Sequence, residues 1–143
     1  DDYFQKFAKR NHEPVIGLET VDKQIEVLFK SIPLERQKQL LMCLVDNTEY
    51  YNMVTQRLSD AYFSQNMKQI EEVISEKRND SCDDTKEEYA IMFDNRNADW
   101  VAKMPAIMSE KPTFFAVGAG HLPGEKGVLN LLKLAGYKVE AVK

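Results

Sequence analysis

The chain is poor in cysteine and histidine, in long apolar runs and in surplus positive charge. It has two cysteines and two histidines among 143 residues, and no apolar run approaches the roughly 18 residues that span a bilayer. Its 19 basic residues are outnumbered by 23 acidic ones, for a net charge of −4. Because nucleic-acid binding needs a basic face, we expect no nucleic-acid partner and no membrane-spanning helix in these residues.

The two cysteines do not match the spacing of a zinc or redox motif. Cys43 lies in a stretch with helical periodicity, and Cys82 lies in a polar stretch typical of a loop. Two interpretations stay open at this point. The cysteines are either independent thiols or the two halves of one disulfide in an exported protein.

The carboxyl-terminal third of the chain has the pattern of a βαβ unit. Residues 113–117 form a short apolar run rich in strand formers. Residues 127–136 have apolar positions at helical spacing and close on Gly136, as a helix end does. Residues 137–142 then alternate as a second strand would. We therefore predict a strand, a glycine-rich turn, a helix and a parallel strand.

The rest of the chain is predicted to be mainly helical. A short helix leads into a first strand at residues 15–18, and helices then run to about Met108, with a polar loop at residues 78–84 and breaks at 64–66 and 94–97. The fold class predicted is α/β, with one domain over residues 1–143. A small, largely parallel sheet would carry a long helical excursion between the first strand and the C-terminal βαβ unit.

Two side chains at predicted strand ends could carry chemistry. His121 lies in the glycine-rich turn after residues 113–117, and Glu19 follows residues 15–18. Because parallel strands end at the same sheet edge, we expect the two to converge. An imidazole and a carboxylate can ligate a divalent metal ion or activate water. From the residues alone, His121 could equally bond the local backbone, and Glu19 could cap the next helix.

Arg96 is a third candidate, placed beside Asn97 between two predicted helical segments. A guanidinium there could hold a carboxylate or stabilise a tetrahedral intermediate, although an exposed loop arginine is the commoner case. The glycines of the His121 turn also suggest a dinucleotide-binding fingerprint. Their spacing is one residue too long, and His121 and Pro123 lie where a phosphate-binding loop needs small residues, so this alternative ranks lower.

Three segments in this order resemble the TraB/GumN family. The sequence from Val117 to Leu129, with Leu132 and residues 135–137 after it, resembles the family's carboxyl-terminal signature. Residues 17–20 with Gln24 resemble its glutamate segment. Arg96-Asn97 followed by Trp100-Val101 resembles its arginine-asparagine helix motif.

The resemblance implies a metal-dependent hydrolase, peptidase-like and related to the TIKI proteins, with a peptide or small-molecule substrate such as an ester. It gives catalytic roles to Glu19, His121 and Arg96, and it makes His121 and Glu19 ligands of a divalent metal ion (Zn, Mn or Co). A non-catalytic module that binds a peptide or haem is the alternative within the same family.

The resemblance also bears on what surrounds this chain. The family's first Gly-x-x-His motif would precede Asp1, so we expect an N-terminal segment to be missing here. A location in the cell envelope or periplasm is implied, with membrane association through that missing segment.

Overall fold

The computed structural model describes residues 2–142, and this range is built from helices. No helix in it is both long and apolar enough to cross a bilayer. The α-helices are α1 (Asp2–Arg10), α2 (Val21–Ile25), α3 (Leu34–Asp46), α4 (Thr48–Phe63), α5 (Met67–Ser75), α6 (Lys86–Tyr89), α7 (Asn95–Glu110) and α8 (Val128–Leu134). Two π-helical segments, Glu26–Lys30 and Ala90–Asp94, continue α2 and α6, and a 3-10 turn, Ala119–His121, precedes α8.

Local signals in the sequence set several helix ends. Thr20 caps α2, because its hydroxyl oxygen accepts a hydrogen bond of 3.1 Å from the backbone N–H of Lys23. Thr85 and Glu88 form a reciprocal capping box at the start of α6. Gly136, with φ of +90°, follows α8 in the left-handed conformation that commonly ends a helix. The predicted break at residues 64–66 is confirmed between α4 and α5.

The predicted α/β fold is wrong. No residue from 2 to 142 belongs to a strand, and the three segments predicted as strands (residues 15–18, 113–117 and 137–142) have irregular backbone. Two of these segments also leave apolar side chains in solvent, since Ile16 is 62% exposed and Phe114 is 70% exposed. Strand propensity reports a fit to a pleated surface, and an extended segment becomes a strand only when another pairs with it. Neither the small parallel sheet nor the C-terminal βαβ unit therefore forms in the described range.

The predicted helix break at residues 94–97 is also wrong. The chain is helical without interruption from Lys86 to Glu110, through α6, the π-helical segment Ala90–Asp94 and α7. In that segment the backbone N–H of Asn95 bonds to the carbonyl of Ala90, five residues back. A π-helical turn changes which side chains face inward, and such turns are frequent at functional sites. This one ends at Asp94, two residues before Arg96.

The largest buried cluster fixes the segments that carry Glu19 and His121. Trp100, Val101 and Met104 of α7 pack with Val128 of α8. Partly buried side chains from the irregular segments, including Leu18 and Val117, pack against this cluster. Full burial of one such apolar side chain stabilises a fold by about 1.5–3 kcal/mol. The two irregular segments are thus held on α7 although no sheet joins them.

Cys43 and Cys82 form a disulfide, with their Cα atoms 5.7 Å apart. The bond ties α3 to the polar loop before α6. Arg36 of α3 supports the same loop by donating hydrogen bonds of 2.6 Å to the carbonyl oxygens of Ser81 and Asp83. It also forms an ion pair of 2.8 Å with Glu88. Of the two interpretations of the cysteines, the disulfide is the one that the structure shows.

Candidate functional site

Glu19 and Arg96 form a bidentate ion pair on the face of α7. Arg96 Nη2 lies 2.6 Å from Glu19 Oε1, and Arg96 Nε lies 3.1 Å from Oε2. The side chains are only 8% exposed for Glu19 and 14% for Arg96. Trp100 Nε1 donates a third hydrogen bond of 3.3 Å to Oε2. A parallel pair of hydrogen bonds from one guanidinium is among the stronger polar contacts in proteins.

The surroundings of Glu19 keep it ionised. Burial by itself would raise the pKa of Glu19, since it disfavours the charged carboxylate. Hydrogen bonds from Arg96, Gln24 and Trp100, together with the positive charge of Arg96, outweigh burial and hold the pKa below its usual value. Glu19 is therefore an anion at neutral pH.

Asn97 fixes the tautomer of His121. Asn97 Nδ2 donates a hydrogen bond of 2.9 Å to the carbonyl oxygen of Lys126, so the amide oxygen of Asn97 must point the other way. That oxygen lies 2.7 Å from His121 Nδ1. Since an amide oxygen only accepts, the network assigns the proton of the neutral imidazole to Nδ1. The lone pair of His121 is therefore on Nε2.

His121 is neutral at physiological pH. Its side chain is buried between the rings of Trp100 and Phe93, with ring centroids 4.5 and 5.0 Å from that of His121. Burial and then the charge of Arg96 lower the pKa of His121 to about 4, against a smaller opposite effect of Glu19. A buried imidazole with a fixed lone pair is suited to accept a proton or to ligate a metal.

Arg96 connects the two halves of this network. Its Nη1 lies 3.4 Å from His121 Nε2 and donates a hydrogen bond of 3.1 Å to the carbonyl of Met92, in the π-helical segment. Its guanidinium carbon lies 4.9 Å from the ring centroid of Trp100. We call Glu19, Arg96, Asn97, Trp100 and His121 the α7 network. Three of the five belong to one turn and a half of α7.

The sequence can now be placed among known proteins. A sequence model of the TraB/PrgY/gumN family matches residues 1–141. The chain belongs to the TraB/PrgY/gumN family. No curated protein and no solved structure matches it. The resemblance found in the motifs is thus confirmed over nearly the whole chain. Family membership by itself assigns neither a fold nor an activity to the chain.

The structure of this TraB/PrgY/gumN chain brings the three predicted site residues together. Glu19, Arg96 and His121 are joined through the guanidinium, although they meet on α7 instead of at a sheet edge. Their catalytic roles stay predictions. His12, the other histidine of the chain, is exposed and lies apart from this network, with φ of +56°.

Two members of the α7 network were given no functional role from the sequence. Asn97 and Trp100 both belong to the segment that resembles the arginine-asparagine helix motif, but neither was predicted to take part in the chemistry. A signal for Trp100 existed, because it follows Arg96 by four residues and therefore shares its helix face. Nothing in the sequence indicated that Asn97 contacts His121, since that hydrogen bond joins residues 24 apart.

The predicted metal site does not fit the arrangement of this TraB/PrgY/gumN chain. Residues 2–142 contain no group of three or more metal-ligating side chains, whereas a catalytic zinc site uses three. Both oxygens of Glu19 are paired with Arg96, and the lone pair of His121 faces the same guanidinium. A divalent cation shared by Glu19 and His121 would have to displace an arginine that already supplies positive charge.

Proposed function

We propose that the α7 network is the reaction centre of a hydrolase that acts on a peptide or a small ester. The observation that supports it best is the orientation of His121, whose Nδ1–H is held by Asn97 while Nε2 keeps its lone pair. A general base needs a neutral, oriented acceptor of this kind. Family membership supports the choice of reaction class, and the peptidase character comes from the resemblance to TIKI-related proteins.

In this proposal Nε2 of His121 accepts the proton of an attacking water molecule. The contact between Nε2 and Arg96 Nη1, at 3.4 Å, is longer than ordinary N–H hydrogen bonds, so water can compete for the lone pair. The imidazolium formed would be stabilised by Asn97 through Nδ1–H and by the negative charge of Glu19. His121 would then return the proton to the leaving group.

Arg96 would position the substrate and stabilise the developing oxyanion. A guanidinium has five N–H groups. Within residues 2–142, four of those on Arg96 are accounted for by Glu19, Met92 and His121. The fifth, on Nη2, remains for a substrate carbonyl or carboxylate oxygen. Glu19 fixes the guanidinium plane in this mechanism and takes no proton itself.

The location proposed for the protein is the cell envelope or periplasm. Disulfides persist in oxidising compartments and are rare in the cytosol of most organisms. The bond between Cys43 and Cys82 supports an exported protein on that ground. Membrane association through an N-terminal segment stays a prediction from the family resemblance.

A second candidate is a non-catalytic module that binds a peptide. It is favoured by the closure of the α7 network, in which both oxygens of Glu19 and both polar atoms of the Asn97 amide already have partners within residues 2–142. Such a network could have a purely structural role, in which it holds α7 against the irregular segments. The haem version has less support, because His121 Nε2 faces Arg96. The dinucleotide alternative is no longer proposed, since it required the strand that residues 113–117 do not form.

His121→Ala is expected to lower hydrolysis by about a hundredfold or more, the usual contribution of a general base. The assay uses quenched fluorescent peptides and p-nitrophenyl esters, each with Zn²⁺, Mn²⁺ or Co²⁺ and with a chelator. His12→Ala is the matched control, because it removes the exposed histidine and should retain full activity.

Three results would count against parts of this proposal. Absence of hydrolysis by the wild-type protein under every condition, with retained peptide binding, would favour the non-catalytic module. Equal activity of His121→Ala and wild type would remove His121 as the base. Metal content that is lower in His121→Ala than in the wild type would show that His121 is a metal ligand, so that its lone pair would not be free to accept a proton.

A further inference from the structure

A cavity of about 210 Å³ lies next to the α7 network. Asn97, which holds His121, lines it, as do Gly120 and Gly124 of the histidine turn. The volume is smaller than the roughly 300 Å³ at which cavities for drug-sized ligands begin. The cavity therefore suits one side chain of a larger molecule.

The wall of the cavity combines aromatic rings with unpaired negative charge. Tyr89 and Phe93 form one side, with ring centroids 4.9 Å apart. Glu71 and Glu125 also line it, and neither forms an ion pair with the described part of the chain. Lys126 adds no free positive charge, because its ammonium lies 2.8 Å from Asp94 on the same wall.

The histidine turn lies close enough to α5 for Glu71 to face the cavity. Gly124 has φ of +92°, and a Cβ placed there would lie 3.3 Å from Glu71 Oε1. The positive φ favours glycine at position 124, and at Gly120 a Cβ would lie 2.9 Å from Ile74 Cδ1 of α5. The same turn thus brings His121 to Arg96 and the carboxylate of Glu71 to the edge of the cavity.

We propose that this cavity is a subsite for a guanidinium-bearing side chain. Aromatic rings attract a planar cation, and a carboxylate pairs with it through charge-assisted hydrogen bonds. One part of this assignment rests on the proposed function, namely that the guanidinium belongs to an arginine residue of a peptide substrate. Cation binding itself does not depend on hydrolysis.

The test is an NMR titration of the ¹⁵N-labelled chain with N-acetyl-arginine methylamide and with its citrulline counterpart. Citrulline keeps the shape and lacks the charge. We expect the arginine compound to shift the amide signals of Gly120, Gly124 and Lys126 and to bind about tenfold more tightly than the citrulline compound. Equal binding of the two compounds, or shifts confined to other residues, would overturn the proposal.

Glu71→Gln is expected to weaken binding of the arginine compound by about tenfold, because one charge-assisted contact is lost. Glu72→Gln is the matched control on the same helix. Glu72 is exposed, does not line the cavity and pairs with Lys68 at 3.5 Å, so loss of its charge should leave binding unchanged. Both positions are exposed, and the unfolding temperature of each variant shows whether the fold is kept. Unchanged binding in Glu71→Gln would overturn the assignment.

The variant His121→Ala separates this inference from the proposed function. If it loses hydrolysis and still binds the arginine compound, both proposals hold. If the wild type shows no hydrolysis but binds arginine over citrulline, the subsite stands and the hydrolase does not. Hydrolysis by a wild type that binds the arginine and citrulline compounds equally would overturn the subsite alone.

Discussion

Replacing Glu19 with glutamine is expected to lower the free energy of unfolding by about 3 kcal/mol, because it leaves the buried guanidinium of Arg96 without a counter-charge. The ion pair has two hydrogen bonds, of 2.6 and 3.1 Å, and both side chains are largely buried. Glutamine can accept one of these bonds but carries no charge. Urea denaturation at pH 7 measures the difference.

A surface pair provides the control for Glu19. Lys23 and Glu26 lie 3.4 Å apart, with side chains 44% and 61% exposed, so Glu26→Gln should cost less than about 1 kcal/mol. The double variant Glu19→Leu/Arg96→Met removes both charges and should recover most of the stability, since apolar side chains can replace a buried ion pair. If Glu19→Gln lowers the free energy of unfolding by as little as Glu26→Gln does, the ion pair of Glu19 and Arg96 is effectively solvated.

Glu19 and His121 do lie close together, as predicted, but the predicted reason was wrong. Sequence reasoning placed both at the edge of a parallel sheet, and no sheet forms in residues 2–142. Each residue follows a short apolar run that was predicted to be a strand. Leu18 and Val117 do pack on the main cluster, and they do so against α7 and not in a ladder. The hydrophobic pattern therefore indicated that these two segments pack on the core, but it did not show that they pack on a helix.

The central position of Arg96 could not be derived from the sequence. An ion pair between residues 77 apart depends on the tertiary fold, and a lone arginine is most often solvent-exposed. The π-helical segment before it was also invisible, because its composition is that of ordinary helix. Residues 94–97 contain polar side chains typical of a break, and their contacts with the histidine turn and with Glu19 keep them helical instead. Tertiary contacts outweighed local propensity here.

Acidification below pH 6.5 is expected to destabilise the protein through His121. The pKa of this buried imidazole is lowered to about 4 in the folded protein, from 6.5 in the unfolded chain. Between these values the unfolded state binds more protons, so stability falls as pH decreases through this window. The free energy of unfolding that depends on neutral His121 is fully present above pH 6.5 and is lost progressively down to about pH 4. A shift of this size corresponds to about 3 kcal/mol.

Urea denaturation at a series of pH values between 7 and 4 measures this dependence, with His121→Gln as the comparison. Glutamine does not titrate, so the variant should lose the slope assigned to His121. Glu19 acts at a lower pH, because its pKa is below its usual value and its contribution disappears only as the carboxylate is protonated. The slope that remains in His121→Gln should therefore be confined to the acidic end. Parallel profiles for wild type and variant would show that His121 titrates like an exposed histidine.

The same pKa predicts the pH profile of the proposed hydrolase. A solvent-exposed histidine base would lose activity below about pH 6.5, whereas His121, with its pKa at about 4, stays neutral well below that value. We expect kcat/KM to remain near its maximum down to about pH 5, as far as the fold is kept. Arg96 is central to this result, since its charge and the burial of His121 both disfavour the imidazolium. Arg96→Gln should raise the pKa of His121 and move the acidic limb of the profile to higher pH, and an unchanged limb would separate Arg96 from the titration of the base.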